Sequence, residues 1–236
     1  MKRGTVLASV LAAATMAAFA MNAGAGEPAP AVRPAAAPEP PAVLDRWKAG
    51  TNYTLLTTPQ PPAVKRGKVE VNEVFWYGCG HCYALDPALE SWKVNKPAYI
   101  EFVRIPVIWG PVHVQHARLY YTLQALGRAD LHPKVFETIH RQGNLLAAQT
   151  EQEARALQLA FLRENGVTEK KFNEVYDSKA VTEGVERAQS LTGRFEVASV
   201  PLMIVQGKFV TSVSQAGSEK DLLALINDLA ASEKGR

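Results

Sequence analysis

Two cysteines, the only ones in the 236-residue sequence, stand three positions apart in the segment Cys79-Gly80-His81-Cys82. Thiols at this spacing are typical of a redox-active dithiol, of half a zinc site, or of two unrelated buried side chains. A thiol reacts as its thiolate, so a redox cysteine needs surroundings that lower its pKa. His81 lies between the two cysteines, where an imidazole near a sulfur would stabilise the thiolate and make the disulfide a stronger oxidant.

The segments on either side of the cysteines are predicted to be a strand and a helix. Alternation in residues 69–77 places one set of side chains on a single face, namely Val69, Val71, Glu73, Phe75 and Tyr77. From Cys79 the apolar spacing predicts a helix to about Asn95, kinked at Pro87. Unpaired N–H groups and the helix dipole would then favour a thiolate at Cys79. We therefore expect Cys79 to be the nucleophile and Cys82, one turn further in, to resolve the mixed disulfide.

Glu73 is the one acidic side chain on the apolar face of that strand. If the helix folds back over this face, the carboxyl group of Glu73 is buried and its pKa is raised. Such a carboxyl group could exchange a proton with Cys82 when that thiol must ionise. This hypothesis depends on strand parity alone, and the alternative is an edge strand with a solvated Glu73.

The remaining strand patterns complete an α/β organisation. The predicted strands occupy, in chain order, residues 53–56, 69–77, 99–107, 202–205 and 208–213. The second and third enclose the helix and make a βαβ unit, and the last two form a hairpin joined by Gln206-Gly207. Ser218 with Asp221 predicts the cap of a closing helix through Leu229.

Helical periodicity is the only pattern between Pro111 and Val197. The predicted helices cover residues 114–126, 133–142, 152–165, 169–178 and 181–192. Thr150 and Glu153 have the spacing of a capping box at the start of one of them. The folded part is therefore divided into residues 44–110, a helical insertion at 111–197, and residues 198–236.

Val200-Pro201 opens the strand that follows the insertion. Proline is tolerated at a strand start, and a cis bond there would be a deliberate feature of the fold. If this strand start lies beside the cysteines, a cis Pro201 leaves the backbone of Val200 free to pair with a substrate strand. The alternative is that Pro201 simply begins a strand in the trans form.

The N-terminus carries the features of a secretory signal peptide. Lys2 and Arg3 precede an apolar run with small residues behind it, so residues 1–25 are predicted to be removed on export. The run of about 15 residues is shorter than the roughly 20 that cross a bilayer, which disfavours a membrane anchor. Residues 26–43 are rich in Ala and Pro and are predicted to form a disordered tether.

Export narrows the possible roles of the cysteines. Structural disulfides do form outside the cytosol, but a pair three positions apart closes too short a loop to stabilise the chain much. A purely structural disulfide is therefore disfavoured.

Removal of Lys2 and Arg3 with the signal peptide takes the formal net charge from +3 to +1. A nearly neutral surface gives no electrostatic basis for binding nucleic acid or an anionic membrane.

A zinc site is one competing interpretation of the cysteine pair. His113 and His116 supply a His-x-x-His pair, but the gap of about 30 residues from Cys82 is about twice the usual finger spacing. The pair also falls at a predicted helix start, so we predict no metal, and no cofactor either. His132 and His140 have no evident partner in the sequence and are predicted to be structural.

Several of these motifs together resemble the DsbA family of periplasmic thiol:disulfide oxidoreductases. The resemblance covers roughly residues 47–229 and starts from Glu73, six residues before Cys79, from the Gly80-His81 dipeptide, and from Pro87. It continues through the insertion and the later strands in Ala117-Arg118-Leu119-Tyr120-Tyr121, Leu126-Gly127, His132, Phe136, Ile139-His140, Val200-Pro201 and Val205-Gln206-Gly207-Lys208.

The resemblance implies a thioredoxin fold with an inserted helical subdomain. It assigns Cys79 as the nucleophilic cysteine, Cys82 as the resolving cysteine, Glu73 as the buried acid and Pro201 as the cis-proline. It also implies a periplasmic oxidant of reduced exported polypeptides, reoxidised by a quinone-linked membrane partner of the DsbB type. The alternatives are a reductase or isomerase on the same fold, and a peptide-binding or zinc-binding module whose cysteines do no redox work.

Two positions depart from the family pattern. Gly80-His81 stands where the best-known members have Pro-His, and it resembles the pair in protein disulfide isomerase, which leaves the oxidising strength open. A lysine that pairs with the buried acid in some members has no secure counterpart at residues 99–107, where Phe102 and Arg104 stand. Dimeric isomerases of this fold carry a dimerisation domain, for which residues 26–43 are too short, so we expect a monomer.

Overall fold

The computed structural model describes residues 45–235. The signal peptide predicted at residues 1–25 and the tether predicted at residues 26–43 lie outside the described residues. Within residues 45–235, no helix combines the length and the apolar character needed to cross a membrane.

Five strands form one mixed sheet, in the order β1, β5, β4, β2, β3. The strands are β1 (Thr54–Leu55), β2 (Val69–Phe75), β3 (Ile100–Pro106), β4 (Leu202–Val205) and β5 (Phe209–Thr211). β2 and β3 run parallel, and the other neighbours run antiparallel. A parallel pair needs a crossover connection, which helix α1 (Gly80–Asn95) supplies. The two cysteines therefore lie where β2 passes into α1.

Seven further helices complete the described fold, together with a 3₁₀ turn at Ala129–Leu131. Between β3 and β4 lie α2 (Pro111–Ala125), α3 (His132–His140), α4 (Glu151–Glu164), α5 (Glu169–Tyr176) and α6 (Lys179–Arg194). After β5 follow α7 (Val213–Ala216) and α8 (Glu219–Glu233). The element order is the predicted one, with a βαβ unit, a segment whose regular structure is helical, and then ββα.

Every residue of β2 is buried, because helices cover both faces of the sheet. On one face Val71 packs in a cluster with Leu89 of α1 and Leu225 of α8. On the other face Val74 packs in a cluster with Ala188 of α6. The alternation predicted for this strand is thus confirmed. It also directs Phe75, at the end of β2, into a third cluster formed by the insertion.

Most differences between the predicted and observed elements are at their ends. The capping box at Thr150 and Glu153 is present, and Ser218 accepts the backbone N–H of Asp221 at the start of α8. The strand predicted to reach Val213 ends at Thr211, because Ser212 caps the one-turn helix α7, which the sequence patterns did not reveal. The strand predicted to reach Tyr77 ends at Phe75.

Candidate redox-active site

Cys79 is the N-cap residue of α1, and its sulfur takes the place of a capping oxygen. The backbone N–H of Cys82 donates to Cys79 Sγ at 3.3 Å, and the Cys79 thiol lies 3.5 Å from the carbonyl oxygen of Val200. The pKa of Cys79 is lowered to about 6, chiefly by the hydrogen bond from the Cys82 thiol, against the opposing effect of burial. The backbone N–H groups of Cys82 and His81 and the charge of His81 lower it further. A half-buried thiol with this pKa is mostly thiolate at pH 7.

Cys82 has the opposite environment. Its side chain is fully buried, in the cluster that contains Phe75 and Tyr77. Burial raises the pKa of Cys82 well above that of a free thiol, and the neighbouring Cys79 and Glu73 raise it further. The first turn of α1 thus holds one acidic, accessible sulfur and one sulfur that keeps its proton.

The two glycines beside the cysteines differ in what the fold demands of them. A Cβ atom at Gly78 would lie 2.5 Å from the indole ring of Trp76, so packing excludes a side chain there. A Cβ atom at Gly80 would meet no atom within 4 Å. Packing therefore does not require glycine at position 80, between the cysteines.

A groove borders Cys79 on the side of the strand that follows the insertion. The Val200–Pro201 peptide bond is cis, and both residues are partly buried. Together with the exposed His81, with Leu85 and with Val213 they line a groove of about 450 Å³. The structure thus brings together Cys79, His81, Val200 and Pro201, which the sequence singled out separately.

Glu73 lies on β2 opposite Arg104 of β3, in the register of the parallel pair. Arg104 Nε donates to Glu73 Oε2 at 2.7 Å, and both side chains are almost fully buried. Glu73 Oε1 is also buried but has no hydrogen-bond partner. Burial raises the pKa of Glu73, and the opposing attraction of Arg104 does not cancel the effect.

Arg104 binds two further carboxylates, both from α1. Its two terminal nitrogens donate to Asp86 Oδ1 and Glu90 Oε1, each at 2.7 Å. Lys93 forms an ion pair with the outer carboxylate, Glu90, at 2.6 Å. Three carboxylates thus share one buried guanidinium, and the like charges of Asp86 and Glu90 raise the pKa of Glu73. The pKa of Glu90, by contrast, is lowered by its hydrogen bonds from Lys93 and Arg104, against the opposing effect of burial.

Sequence reasoning missed Arg104, Asp86 and Glu90 as partners of the buried acid. Asp86 and Glu90 are four residues apart, which is the spacing of neighbours on one helix face. The register of the parallel strands pairs Arg104 with Glu73. A sequence-based prediction of this ion pair would therefore have needed the strand register. In this structure Arg104 is the cation that pairs with the buried acid.

His113 and His116 lie against the aromatic side chain of Trp76. The ring of His113 packs on Trp76 with centroids 4.5 Å apart, and His116 Nε2 donates to the carbonyl oxygen of Leu145 at 2.8 Å. Among residues 45–235, no group of three or more His, Cys, Asp and Glu side chains is arranged to hold a metal ion. The two histidines serve packing in this structure.

A Cys-x-x-Cys pair that caps the crossover helix of such a sheet, next to a cis X-Pro bond, defines the thioredoxin-fold thiol:disulfide oxidoreductases. Comparison with known proteins finds relatives of the same class. The thiol:disulfide interchange protein DsbA of Pseudomonas aeruginosa is 36% identical over 194 residues, which cover 82% of this chain and 89% of that protein. The corresponding protein of Burkholderia cepacia is 36% identical over 171 residues, covering 72% and 77%.

Solved structures show the same relationship. The crystal structure of Pseudomonas aeruginosa DsbA matches with a TM-score of 0.73 at 36% identity, covering 80% of this chain and 95% of that chain. The chain belongs to the DsbA family of thiol:disulfide interchange proteins and is a thiol:disulfide oxidoreductase. The predicted thioredoxin fold with a helical insertion is confirmed. No family model matches the sequence.

Proposed function

We propose that this protein is a periplasmic oxidant that donates a Cys79–Cys82 disulfide to reduced, newly exported polypeptides. The observation that carries the proposal is the separation of the two thiols, since the pKa of Cys79 is lowered to about 6 and that of Cys82 is raised. A stabilised Cys79 thiolate favours the reduced form of the protein, and its disulfide is therefore easily given up.

In the proposed transfer, a substrate thiolate attacks Cys79 Sγ of the oxidised protein. The Cys79–Cys82 bond breaks, a mixed disulfide forms at Cys79, and Cys82 leaves with the electron pair and takes a proton. A second substrate thiolate then attacks the substrate sulfur of the mixed disulfide, and Cys79 leaves as its thiolate. The substrate has lost two electrons and the protein has gained them. A leaving group with a low pKa makes the last step fast.

The groove beside Cys79 is the proposed binding place for the substrate chain. The carbonyl of Val200 faces the Cys79 sulfur, so an extended substrate segment could hydrogen-bond to the backbone of Val200 while its sulfur reaches Cys79. His81 and Pro201 line the same groove. Backbone pairing recognises any extended polypeptide, which suits an enzyme with many substrates.

Glu73 is the proposed proton partner of Cys82. In its protonated form it supplies the proton that Cys82 needs on leaving. During reoxidation, which we assign to a quinone-linked membrane partner of the DsbB type, the Glu73 carboxylate takes the proton back as Cys82 attacks. Export by the predicted signal peptide places both reactions in the periplasm, and we propose that the protein acts there as a monomer.

The proposal predicts that the Cys79 thiolate forms with a midpoint near pH 6 in the reduced protein. A lowered pKa stabilises the reduced fold fully above the unfolded value of about 8.5, and this stabilisation is lost as the pH falls from there through about 6. Ultraviolet absorbance of the thiolate against pH measures the midpoint, with the Cys79→Ser variant as the blank. A midpoint near about 8.5, the value of an ordinary cysteine, would contradict a strongly oxidising role.

The glycine at position 80 favours a second candidate function, that of a reductase or isomerase on the same fold. The Gly-His pair resembles that of protein disulfide isomerase, and packing at Gly80 does not explain it. Equilibration of the purified protein with a glutathione redox buffer separates the two. An oxidant stays mostly reduced under conditions in which a reductase would be oxidised.

We predict that Glu73→Gln slows the steps in which Cys82 gains or loses its proton by about ten- to hundredfold. The amide neither donates a proton to a thiolate nor accepts one from a thiol. Rapid-quench measurement of mixed-disulfide formation between the oxidised protein and a substrate thiol, the step in which Cys82 leaves and gains its proton, gives the rate. The matched control is Glu90→Gln, which removes a different carboxylate from Arg104 and leaves Glu73 in place. Equal rates in wild type and Glu73→Gln would remove Glu73 from the mechanism.

A further inference from the structure

His140, at the end of α3, contacts the chain just before the reactive cysteines. Its Nε2 lies 2.8 Å from the backbone carbonyl oxygen of Tyr77, two residues before Cys79. A carbonyl oxygen only accepts hydrogen bonds, so Nε2 carries the hydrogen. This bond forms whether the ring is neutral or protonated. The structure thus gives His140 a hydrogen-bond partner that the sequence did not reveal.

The same side chain also contacts the chain just after the cysteines. Its ring is stacked on Tyr83, the residue that follows Cys82, with centroids 4.9 Å apart and planes 3° from parallel. The Tyr83 hydroxyl donates to Glu137 Oε1 at 2.7 Å, and Glu137 lies one turn before His140 on α3. One imidazole thus touches both ends of the Cys79 to Cys82 turn.

His132, eight residues earlier on α3, fixes the other end of Tyr77. The Tyr77 hydroxyl and His132 Nδ1 are 2.8 Å apart, in the buried interior. Burial lowers the pKa of His132 to about 4, so its ring is neutral at pH 7. Its Nε2 lies 3.4 Å from Asp86 Oδ1 and makes no hydrogen bond among the described residues, so the ring is held through Nδ1 and the Tyr77 hydroxyl. Helix α3 therefore holds Tyr77 by its phenol and by its backbone.

The geometry points to His140 as a positioning residue that holds the turn between Tyr77 and Tyr83 so that backbone N–H groups stay directed at the Cys79 sulfur. The backbone nitrogen of Cys82 lies 3.3 Å from Cys79 Sγ, and a shift of the turn that lengthens or bends this hydrogen bond weakens it. The inference depends on the proposed function, because it concerns the reactivity of Cys79. Unlike Glu73, His140 takes no part in proton transfer to either sulfur.

Three variants of His140 separate its hydrogen bond from its packing. Gln places an amide N–H near the position of Nε2, Asn is one carbon too short to do so, and Phe keeps the stacked ring but has no donor. We expect His140→Phe and His140→Asn to raise the pKa of Cys79 and to lower the share of reduced protein in glutathione buffer, each by about fivefold in equilibrium constant. His140→Gln should recover most of the wild-type values.

The control for a general loss of packing is Val135→Ala, which removes two buried methyl groups from α3 and leaves the His140 hydrogen bond and ring stack in place. We expect it to lower the thermal midpoint of unfolding and to leave the Cys79 pKa unchanged. The positioning role is wrong if His140→Asn and His140→Gln give the same Cys79 pKa, or if Val135→Ala shifts that pKa as much as His140→Phe does. If His140→Phe fails to fold, the Asn and Gln pair decides the question.

Failure of this inference is distinguishable from failure of the proposed function. Wild-type protein that does not oxidise a reduced polypeptide at all would overturn the proposed function. Wild-type protein that oxidises it, with His140 variants that leave the Cys79 pKa and the glutathione equilibrium unchanged, would overturn only the positioning role.

Discussion

Replacement of Cys79 by serine is expected to reduce oxidation of a reduced, unfolded polypeptide to the rate of the buffer alone. A hydroxyl group forms no disulfide, and Cys82 does not replace the lost sulfur because it is fully buried and its pKa is raised. Without Cys79 the protein cannot form the disulfide that a substrate thiolate attacks, so one substitution removes the oxidising group. Recovery of native disulfides in a reduced substrate measures the effect.

The matched variant is Cys82→Ser, which keeps Cys79 and removes the sulfur that resolves its mixed disulfides. When it is given a substrate that already contains a disulfide, we expect its Cys79 thiolate to attack one substrate sulfur, release the other as a thiolate and stay joined to the substrate, because no Cys82 sulfur is present to displace it. The adduct is visible as a higher mass that disappears on reduction. Cys79→Ser should form no such adduct. Full activity in Cys79→Ser would overturn the redox mechanism and select the alternative of a non-redox peptide-binding module.

The sequence predicted the fold well because the main patterns are local. The alternation in β2, the apolar spacing of α1 and the helix caps at Thr150 and Ser218 depend on neighbouring residues, and the structure has all of them. Element ends were less accurate. Ser212, for example, continues a strand-like pattern but caps the helix α7, and the choice depends on packing beyond the local sequence.

The site was predicted where it is contiguous in the sequence and missed where it is assembled by the fold. Cys79, His81 and Cys82 share one helical turn, whereas the partner of Glu73 comes from a strand 31 residues away. Only the strand register brings Arg104 to Glu73, and a single residue of slip would turn it to the other face. The contacts of His140 with Tyr77 and Tyr83 were not predicted for the same reason, because they join an insertion helix to the turn that carries the cysteines.

Substitution of Arg104 by methionine is expected to lower the free energy of unfolding by about 3 to 5 kcal/mol. Methionine has a similar length but supplies none of the three hydrogen bonds to Glu73, Asp86 and Glu90. Two of these carboxylates are almost fully buried, and a buried charge without its partner is costly. Chemical denaturation of the reduced protein at pH 7 measures the loss.

Lys93→Met is the matched control, because it removes a cation from the same carboxylate cluster at an exposed position. Its ion pair with Glu90 is partly solvated, so we expect a loss of less than about 1 kcal/mol.

Without Arg104, burial and the neighbouring carboxylates raise the pKa of Glu73 unopposed. A group whose pKa is raised by folding stabilises the fold at low pH and loses that effect as the pH rises. The free energy of unfolding that Arg104→Met loses relative to wild type should therefore become smaller as the pH is lowered from 7 toward 5. A loss at pH 7 no larger than that of Lys93→Met would show that Arg104 does not hold the cluster together.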